Sequence, residues 1–393
     1  MSSQELINKE SKFIMDTFAR YPLVIEKGFG ALLYDCEGKE YIDFSSGIGV
    51  NCLGSGDEEW ANAIYTQAKN LGHISNLYYN SNMINLAEVL TSKTKMSKAF
   101  FANSGAEANE GAIKLARKYS FQKYGKFRSN IICLNNSFHG RTITTLAATG
   151  QQALHKFFYP FTKGFFFANA NDIESVKKLI DKSICAIMIE LIQGEGGIFP
   201  LEKEFVAQVK QLCVDNDILL IIDEIQTGIG RTGAFLASEY YEVKADIITL
   251  AKGLGGGLPI GAFLCNETLE KVLDKGSHGS TFGANPICCA GALVVLNRLD
   301  NKLLDEVLAK GEYMKNKLLA MKGVLDVRGK GLMLGFDIEG IGAKPFTMKL
   351  LEKGLLAITA NTAVRLMPPL IIGYKEIDKG LKIIEDTLKE CSQ

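Results

Sequence analysis

Short apolar runs alternate with longer amphipathic segments along the middle of the chain. Between about residue 55 and about residue 290, the runs KAFF, NIICL, CAIMI, ILLII and DIITL are separated by stretches with helical periodicity. Continuous apolar strands between helices are typical of a parallel sheet that is covered on both faces. The pattern therefore predicts an α/β fold with a large, mostly parallel sheet.

The two ends of the chain have different patterns. Residues 1–54 contain a helical segment and then GALLYDCEGKEYIDF, which predicts a short antiparallel meander with a turn at Glu37-Gly38. Residues 291–393 contain helical patterns around shorter strands such as LMLGFDI and AVRLMP, which predicts a smaller α+β domain. We therefore divide the chain into an N-terminal arm with a small-domain segment (1–54), a large domain (55–290) and a C-terminal small domain (291–393).

Composition and charge exclude several classes of protein. Lys and Arg together number 44, as do Asp and Glu, so there is no basic surplus for binding nucleic acid. The N-terminus MSSQELINKESKF lacks the apolar core of a signal peptide, and no apolar run is long enough to span a bilayer, so we expect a soluble cytoplasmic protein. The nine cysteines lack CxxC spacing and the four histidines lack HxxxH or HExxH spacing, so neither a disulfide framework nor a metal site is expected.

Charged residues follow three of the predicted strands. Glu190 follows one strand, Asp223 and Glu224 follow the next, and Lys252 follows a third and precedes GLGGGLPIG. Because ligands of open α/β sheets bind beyond the carboxyl ends of the strands, we expect two acids and a lysine to converge. A buried lysine has a lowered pKa, and its neutral amine attacks carbonyl groups. The alternatives are that Asp223 is an ordinary turn or helix cap and that Lys252 is a solvated surface lysine.

A run of small residues opens the helix that follows KAFFAN. Ser104, Gly105 and Ala106 leave backbone N–H groups free at the start of this helix, where a phosphate group binds well. The alternative is a capping box between Ser104 and Glu107, which needs no ligand.

A second glycine motif suggests a different cofactor. Residues 228–233, GIGRTG, match the GxGxxG pattern of dinucleotide-binding loops. The polar stretch DEIQT separates the preceding strand from these glycines, and no acid ends a following strand at the usual distance. A nicotinamide site is therefore disfavoured.

Seven blocks of the sequence resemble, in this order, those of class III (ornithine-type) aminotransferases: NSGAEANEGAIKLAR, SFHGRT, IELIQGEGG, LLIIDEIQTGIGRTG, TLAKGLGGGLPIGA, HGSTFGANP and VRLMPPL. The resemblance covers nearly the whole chain. It implies fold type I of the transferases that depend on pyridoxal 5'-phosphate, with the cofactor in the large domain. It also implies a homodimer whose two active sites are shared between the chains.

The resemblance assigns the two central roles to Lys252 and Asp223. Lys252 would carry the cofactor as a Schiff base and move the proton during the reaction, and Asp223 would keep the ring nitrogen protonated. Thr281 would reach the phosphate in the partner subunit. The resemblance implies further cofactor contacts: Ser104, Gly105 and Ala106 at the phosphate, Phe138 stacked on the ring, Gln226 near the phenolic oxygen, and Glu190 supporting its neighbours.

The resemblance also implies how substrates bind. Arg141 would bind the remote carboxylate of each substrate, and Arg365 would bind the second carboxylate that only glutamate has. Glu195 would neutralise Arg365 while the amine donor is bound, and Ser280 would lie near the substrate. This gate is a hypothesis.

The segments SNLYYN and GIGVNCLG are most similar to the members of the class that act on acetylornithine. They imply transfer of its terminal amino group to 2-oxoglutarate, in arginine biosynthesis. Ornithine, succinyl-diaminopimelate and 4-aminobutyrate remain alternative donors, because related enzymes use them with nearly the same residues. A class III mutase or decarboxylase, and a catalytically silent binding protein with this fold, also remain open.

Overall fold

The computed structural model of the chain describes residues 2–391. Its strands are β1 (Ile25–Phe29), β2 (Leu32–Asp35), β3 (Glu40–Asp43), β4 (Lys98–Ala102), β5 (Asn130–Leu134), β6 (Phe165–Ala168), β7 (Ile184–Ile189), β8 (Ile192–Gln193), β9 (Phe199–Pro200), β10 (Leu219–Asp223), β11 (Ile247–Leu250), β12 (Gly261–Cys265), β13 (Val324–Lys330), β14 (Met333–Ile338), β15 (Leu355–Leu356), β16 (Ile358–Ala360) and β17 (Ala363–Leu366).

The helices within the same residues are α1 (Ser3–Phe13), α2 (Ser46–Gly49), α3 (Glu58–Asn70), α4 (Ser81–Thr94), α5 (Gly105–Tyr124), α6 (Ile143–Ala148), α7 (Ile173–Lys177), α8 (Lys203–Asp215), α9 (Ala237–Tyr240), α10 (Pro286–Arg298), α11 (Asn301–Leu319), α12 (Ala343–Glu352) and α13 (Tyr374–Cys391). Short 3₁₀ turns cover Gln152–Leu154, Lys252–Gly255 and Glu267–Leu269. In this part of the chain, no helix has both the length and the apolar character needed to cross a membrane.

The central sheet has seven strands in the order β4-β12-β11-β10-β7-β5-β6. Strands β6, β5, β7, β10 and β11 are mutually parallel, and β12 is antiparallel to both of its neighbours. The predicted mostly parallel sheet is thus confirmed. Two strands of this sheet are not predicted from the sequence: β6 is a short edge strand, and the residues of β12 follow directly on the glycine-rich run.

Helices cover both faces of the central sheet. Along β10, Leu220 and Ile222 pack into one apolar cluster, whereas Leu219 and Ile221 pack into another. Because successive side chains of a strand point to opposite faces, each strand contributes to two cores. This explains why the strands read as continuous apolar runs.

Two smaller sheets lie at the ends of the chain. The predicted N-terminal meander is confirmed: β1, β2 and β3 are antiparallel, and β15 joins β3 in parallel. Strands β13, β14, β17 and β16 form an antiparallel sheet. Residues 1–54 and 291–393 therefore share a sheet, while residue 290 falls inside α10. The proposed domain limits stay a prediction.

Candidate active site

A cavity of about 470 Å³ lies where strands β4, β7, β10 and β11 end. Its volume is in the range of small-molecule binding sites. It brings together residues that are predicted to form one site although they are far apart in the chain. The predicted residues that line it are Ser104, Gly105, Ala106, Phe138, Arg141, Glu190, Asp223, Gln226 and Lys252.

The carboxylate of Asp223 is fixed by three hydrogen bonds. Asn109 Nδ2 and His139 Nδ1 each donate to Oδ2 at 2.8 Å, and the backbone N–H of Ile225 donates to Oδ1 at 3.0 Å. Asp223 therefore does shape a turn, as the alternative reading of the sequence held. It is also a buried carboxylate that lines the cavity, so the turn and a ligand role are compatible.

His139 is buried against this carboxylate. Burial by itself lowers the pKa of His139, but the hydrogen bond to Asp223 and the charges of Asp223 and Glu190 outweigh burial, and the pKa is raised. Nδ1 carries the proton because a carboxylate oxygen only accepts hydrogen bonds. Neither His139 nor Asn109 is predicted individually as a site residue, although they lie in the blocks SFHGRT and NSGAEANEGAIKLAR.

Lys252 opens the 3₁₀ turn that follows β11. Its φ of +48° lies in the left-handed region, which is uncommon for a residue with a side chain. Two donors hold the carbonyls of this turn: Cys52 Sγ contacts the carbonyl oxygen of Gly253 at 3.3 Å, and Trp60 Nε1 donates to that of Gly255 at 3.1 Å.

Burial and nearby charges set the pKa of the Lys252 amine. Burial lowers its pKa to about 8, and the charge of Arg365 acts in the same direction, against the opposing effect of Glu195. The neutral fraction of the amine near neutral pH is therefore much larger than for a solvated lysine, although most of the amine is still protonated. The alternative of an ordinary solvated lysine does not fit this environment.

The start of α5 faces the same cavity. Ser104 Oγ accepts from the backbone N–H of Glu107 at 3.2 Å, but the Glu107 carboxylate accepts from Asn103 N and Nδ2, at 2.7 and 2.8 Å. The reciprocal half of the proposed capping box is therefore not formed. The N–H groups of Gly105 and Ala106 precede the first helical hydrogen bond and suit an anion.

Glu190 supports the loop that carries the predicted stacking ring. It accepts hydrogen bonds from the backbone N–H of Phe138 at 2.9 Å and of Gly194 at 3.3 Å. Burial raises the pKa of Glu190 to about 7. Glu190 thus contacts the loop of Phe138 directly, and its role at the cofactor stays a prediction.

The two arginines differ in their surroundings. Arg365 is buried and forms an ion pair with Glu195, with Nη2 donating to Oε2 at 3.3 Å, and its Nη1 donates to Gln226 Oε1 at 3.2 Å. Burial favours a raised pKa for Glu195, but the charge of Arg365 lowers it. Arg141 is exposed, lies 5.7 Å from the Phe138 ring centroid and has no acidic partner among residues 2–391.

Ser280 and Thr281 lie outside the cavity of this chain. Asn103, which lines the cavity, donates from Nδ2 to Ser280 Oγ at 3.2 Å, and Thr281 is exposed on the same loop. An exposed Thr281 is compatible with a contact in a partner subunit. The roles of both residues stay predictions.

The GIGRTG motif has a structural role. Arg231 is buried and donates from Nη1 to the carbonyl oxygens of Leu332 at 2.9 Å and Pro368 at 2.5 Å. The helix that follows it is α9, which is a single turn. The motif therefore joins the C-terminal segment to the large sheet.

Comparison with known proteins identifies the family. The family model described as Aminotransferase class-III matches residues 15–388. The chain belongs to the class-III aminotransferases. It is 47% identical to the acetylornithine aminotransferase of Haemophilus ducreyi over 99% of this chain and 100% of that protein. It is 48% identical to the acetylornithine aminotransferase of Caldanaerobacter subterraneus subsp. tengcongensis over 98% of this chain and 99% of that protein.

A solved structure shares the fold of this aminotransferase. The ornithine aminotransferase of Toxoplasma gondii, described as having partial occupancy of PLP at its active site, superposes with a TM-score of 0.94 at 30% identity, covering 100% of this chain and 96% of that one. This bears out the predicted fold class.

The residues of the cavity fit the cofactor that the family implies. The cavity has N–H donors at the start of α5 for a phosphate, a fixed carboxylate at Asp223 for a ring nitrogen, and the amine of Lys252 for an aldehyde. These three groups match the three polar ends of pyridoxal phosphate. A cavity of about 470 Å³ suffices for such a molecule.

Proposed function

We propose that this aminotransferase moves the terminal amino group of N2-acetylornithine to 2-oxoglutarate, giving N-acetylglutamate semialdehyde and glutamate, as in arginine biosynthesis. The observation that carries the proposal is that Arg365 is already paired with Glu195 while Arg141 is free of acidic partners in the described chain. The names of the relatives from Haemophilus ducreyi and Caldanaerobacter support the same substrate.

The chemistry needs a bound cofactor and several side chains of this chain. Pyridoxal phosphate, when bound, supplies an electron sink for the carbanion that forms at the substrate carbon. Lys252 would hold it covalently and, once released, carry the proton. Asp223, fixed by Asn109 and His139, would keep the ring nitrogen cationic. Phe138 would restrict the plane of the ring.

The arginines explain the choice of donor. Acetylornithine reacts at its terminal amine and has one carboxylate at its remote end, where Arg141 would bind it. Glutamate reacts at its α-amine and so presents a carboxylate close to the cofactor as well as a remote one. That second carboxylate would need Arg365, and hence the departure of Glu195.

A donor panel tests the proposal. The purified holoenzyme is assayed with 2-oxoglutarate and, in turn, N2-acetylornithine, ornithine, succinyl-diaminopimelate and 4-aminobutyrate, with glutamate formation as the readout. We expect kcat/KM for acetylornithine to exceed that for ornithine and 4-aminobutyrate by at least about tenfold, since a tenfold preference needs only about 1.4 kcal/mol. A higher value for another donor replaces the proposal, and comparable use of succinyl-diaminopimelate indicates dual activity.

The Glu195 gate is tested by Glu195→Gln. The amide keeps its size but loses the charge that neutralises Arg365, so glutamate should be favoured relative to acetylornithine. We expect the ratio of kcat/KM for glutamate to that for acetylornithine to rise about tenfold, measured in separate half-reactions. An unchanged ratio rejects the gate.

The remaining classes differ by simple observations. A mutase or decarboxylase forms its product without consuming 2-oxoglutarate, and a silent binding protein forms none. Absorbance of the bound cofactor near the visible edge that disappears in Lys252→Ala supports the assignment of the lysine. The homodimer and the cytoplasmic location stay predictions.

A further inference from the structure

Two arginines flank one glycine across the sheet formed by β13, β14, β17 and β16, which we call the C-terminal sheet. Arg328 of β13 is paired in register with Gly335 of β14, and Gly335 is paired with Arg365 of β17. Side chains that face each other across antiparallel strands point to the same side of the sheet. The row Arg328-Gly335-Arg365 therefore presents a gap with a guanidinium on each side.

The turn between β8 and β9 occupies this gap. It carries Glu195, which pairs with Arg365 on one side, and Gly197, whose carbonyl oxygen accepts from Arg328 Nε at 2.9 Å on the other. A Cβ added to Gly335 would lie 2.8 Å from Ile198 Cβ and 3.2 Å from the carbonyl oxygen of Gly197. The missing side chain at Gly335 thus makes room for the turn.

The backbone of the turn is held in a strained form. Ile198 is fully buried and has a φ of +55°, a conformation that a β-branched residue rarely adopts. Its side chain packs in a small apolar cluster with Met333 of the C-terminal sheet. Such a conformation persists only when its surroundings determine it, and here the surroundings belong to the sheet that carries Arg365.

Arg328 is itself well anchored. Its Nη1 donates to Asp337 Oδ2 at 2.6 Å and to Asp326 Oδ2 at 3.0 Å, while Nη2 donates to Asp337 Oδ1 at 3.2 Å. The two aspartates leave Nε–H directed at Gly197. Arg328 therefore joins the sheet to the turn rather than to a substrate.

We propose that Arg328 and Gly335 are positioning residues that hold the Glu195 turn against Arg365, and so set the preference of the site between ligands with one carboxylate and ligands with two. This inference rests on the proposed function because it takes Arg365 as the second carboxylate site. Loosening the turn weakens the Glu195–Arg365 pair and leaves Arg365 open to a dicarboxylate.

Arg328→Met tests the inference through binding. Isothermal titration of the holoenzyme with glutarate and with pentanoate compares ligands with two carboxylates and with one, neither of which can react. We expect the affinity for glutarate to rise about fivefold to tenfold and that for pentanoate to change by less than about twofold. Loss of the hydrogen bond from Arg328 to Gly197 removes a contact that holds the turn, and the loss of one charged hydrogen bond changes an affinity by about tenfold. An unchanged ratio of the two affinities overturns the proposal.

Arg128→Met is the matched control. Arg128 also donates Nε–H to a backbone carbonyl oxygen, that of Ile184 at 2.8 Å, but it lies at the opposite end of the central strands. It should change thermal stability without changing the affinity ratio. An equal change of the ratio in both variants would show a general loss of stability and overturn the proposal.

Further variants guard against misfolding. Gly335→Ala should shift the ratio in the same direction, since the added Cβ displaces Ile198. Arg328→Lys, which keeps a cation for Asp337 but lacks the Nε–H, replaces Arg328→Met if that variant does not fold.

A double variant tests whether Arg328 acts through Glu195. In a Glu195→Gln background, Arg328→Met should change the affinity ratio by less than about twofold further, and fully additive effects would contradict an action through the Glu195–Arg365 pair. These binding measurements do not depend on which amine donor is preferred, so the donor panel and this proposal fail separately.

Discussion

Asp223 shows how single residues are prepared for their role. A buried carboxylate is costly unless its oxygens are satisfied, and here Oδ2 receives two donors, from Asn109 and His139, at 2.8 Å each. Asn109 also donates to the carbonyl oxygen of His139 at 2.8 Å, so one amide group positions both the acid and its histidine. The acid is therefore held in one orientation.

We expect Asn109→Ala to reduce both activity and stability. The substitution leaves the oxygen of Asp223 short of a donor and the carbonyl of His139 unpaired, so the free energy of unfolding should fall by about 1–3 kcal/mol and kcat by about tenfold. Denaturant unfolding and steady-state kinetics measure these effects. Asn135→Ala, which removes an exposed amide bonded to Asn169, is the control. A kcat equal to wild type would show that the orientation of Asp223 tolerates this loss.

The pKa of Lys252 predicts a pH dependence. Burial lowers this pKa to about 8, and only the neutral amine reacts with an aldehyde, so recombination of the cofactor-free enzyme with pyridoxal phosphate should accelerate as pH rises through about 8. Below that pH the amine is protonated and the rate should fall about tenfold per pH unit. Stopped-flow absorbance measures the recombination rate as a function of pH, over about two pH units on each side of the expected midpoint. A midpoint near the ordinary lysine value would show a solvated amine.

At the scale of elements, strand β12 supports the loop at the start of α5. Gly261 of β12 pairs with Ala102, and a Cβ added to Gly261 would lie 2.2 Å from the carbonyl oxygen of Ser104. The contact is with backbone, which cannot rotate away as a side chain does. The antiparallel strand thus determines where the N–H groups of Gly105 and Ala106 lie.

We expect Gly261→Ala to weaken cofactor binding. Displacement of the Ser104 backbone misaligns the donors at the start of α5, so the Kd for pyridoxal phosphate should rise at least about tenfold, as for the loss of one charged hydrogen bond. Fluorescence titration of the cofactor-free enzyme measures the effect. Gly72→Ala is the control, because its added Cβ would meet only Ile287 Cδ1, at 4.0 Å. Equal affinities for pyridoxal phosphate in the two variants would show that β12 does not position the N–H donors at the start of α5.

At the scale of the whole molecule, exposed apolar side chains beside the Ser280 loop are compatible with the predicted homodimer. Leu77 and Tyr79 are 88% and 91% exposed, and Phe282 is 60% exposed. Asn76 donates to the carbonyl oxygens of Ser280 and Gly283, so the two loops are held together. Exposed patches of this kind mark protein interfaces. They lie next to Thr281, which is predicted to act in the partner site.

We expect Leu77→Asp to disrupt the predicted homodimer. A charge in an apolar interface raises the dimer Kd by at least about 100-fold, since burying an unpaired charge costs several kcal/mol. Sedimentation velocity measures the assembly, and cofactor affinity should fall with it if Thr281 of the partner subunit binds the phosphate. Leu319→Asp, on a leucine that is 51% exposed at the end of α11, is the control. A fully active wild-type monomer would contradict the shared site.

Much of the central sheet can be predicted from the sequence because apolar runs, and the charged residues that end them, are local features of the chain. Apolar runs predicted five of its seven strands, and the charged residues that end them were expected to meet because parallel strands share one carboxyl edge. Strand β12 escaped detection, since its residues continue a glycine-rich run and its antiparallel direction depends on its two neighbours.

The sequence by itself determined the chemistry of the site: a lysine and an acid after neighbouring strands, a helix start suited to phosphate, and two arginines. Only the tertiary structure decided the partners of these groups. His139 lies 84 positions from Asp223, Arg365 lies 170 from Glu195, and Arg328 lies 131 from Gly197. Periodicity and turn signals act over a few residues, whereas these contacts depend on the register of β13, β14 and β17 and on how a strained turn packs against them.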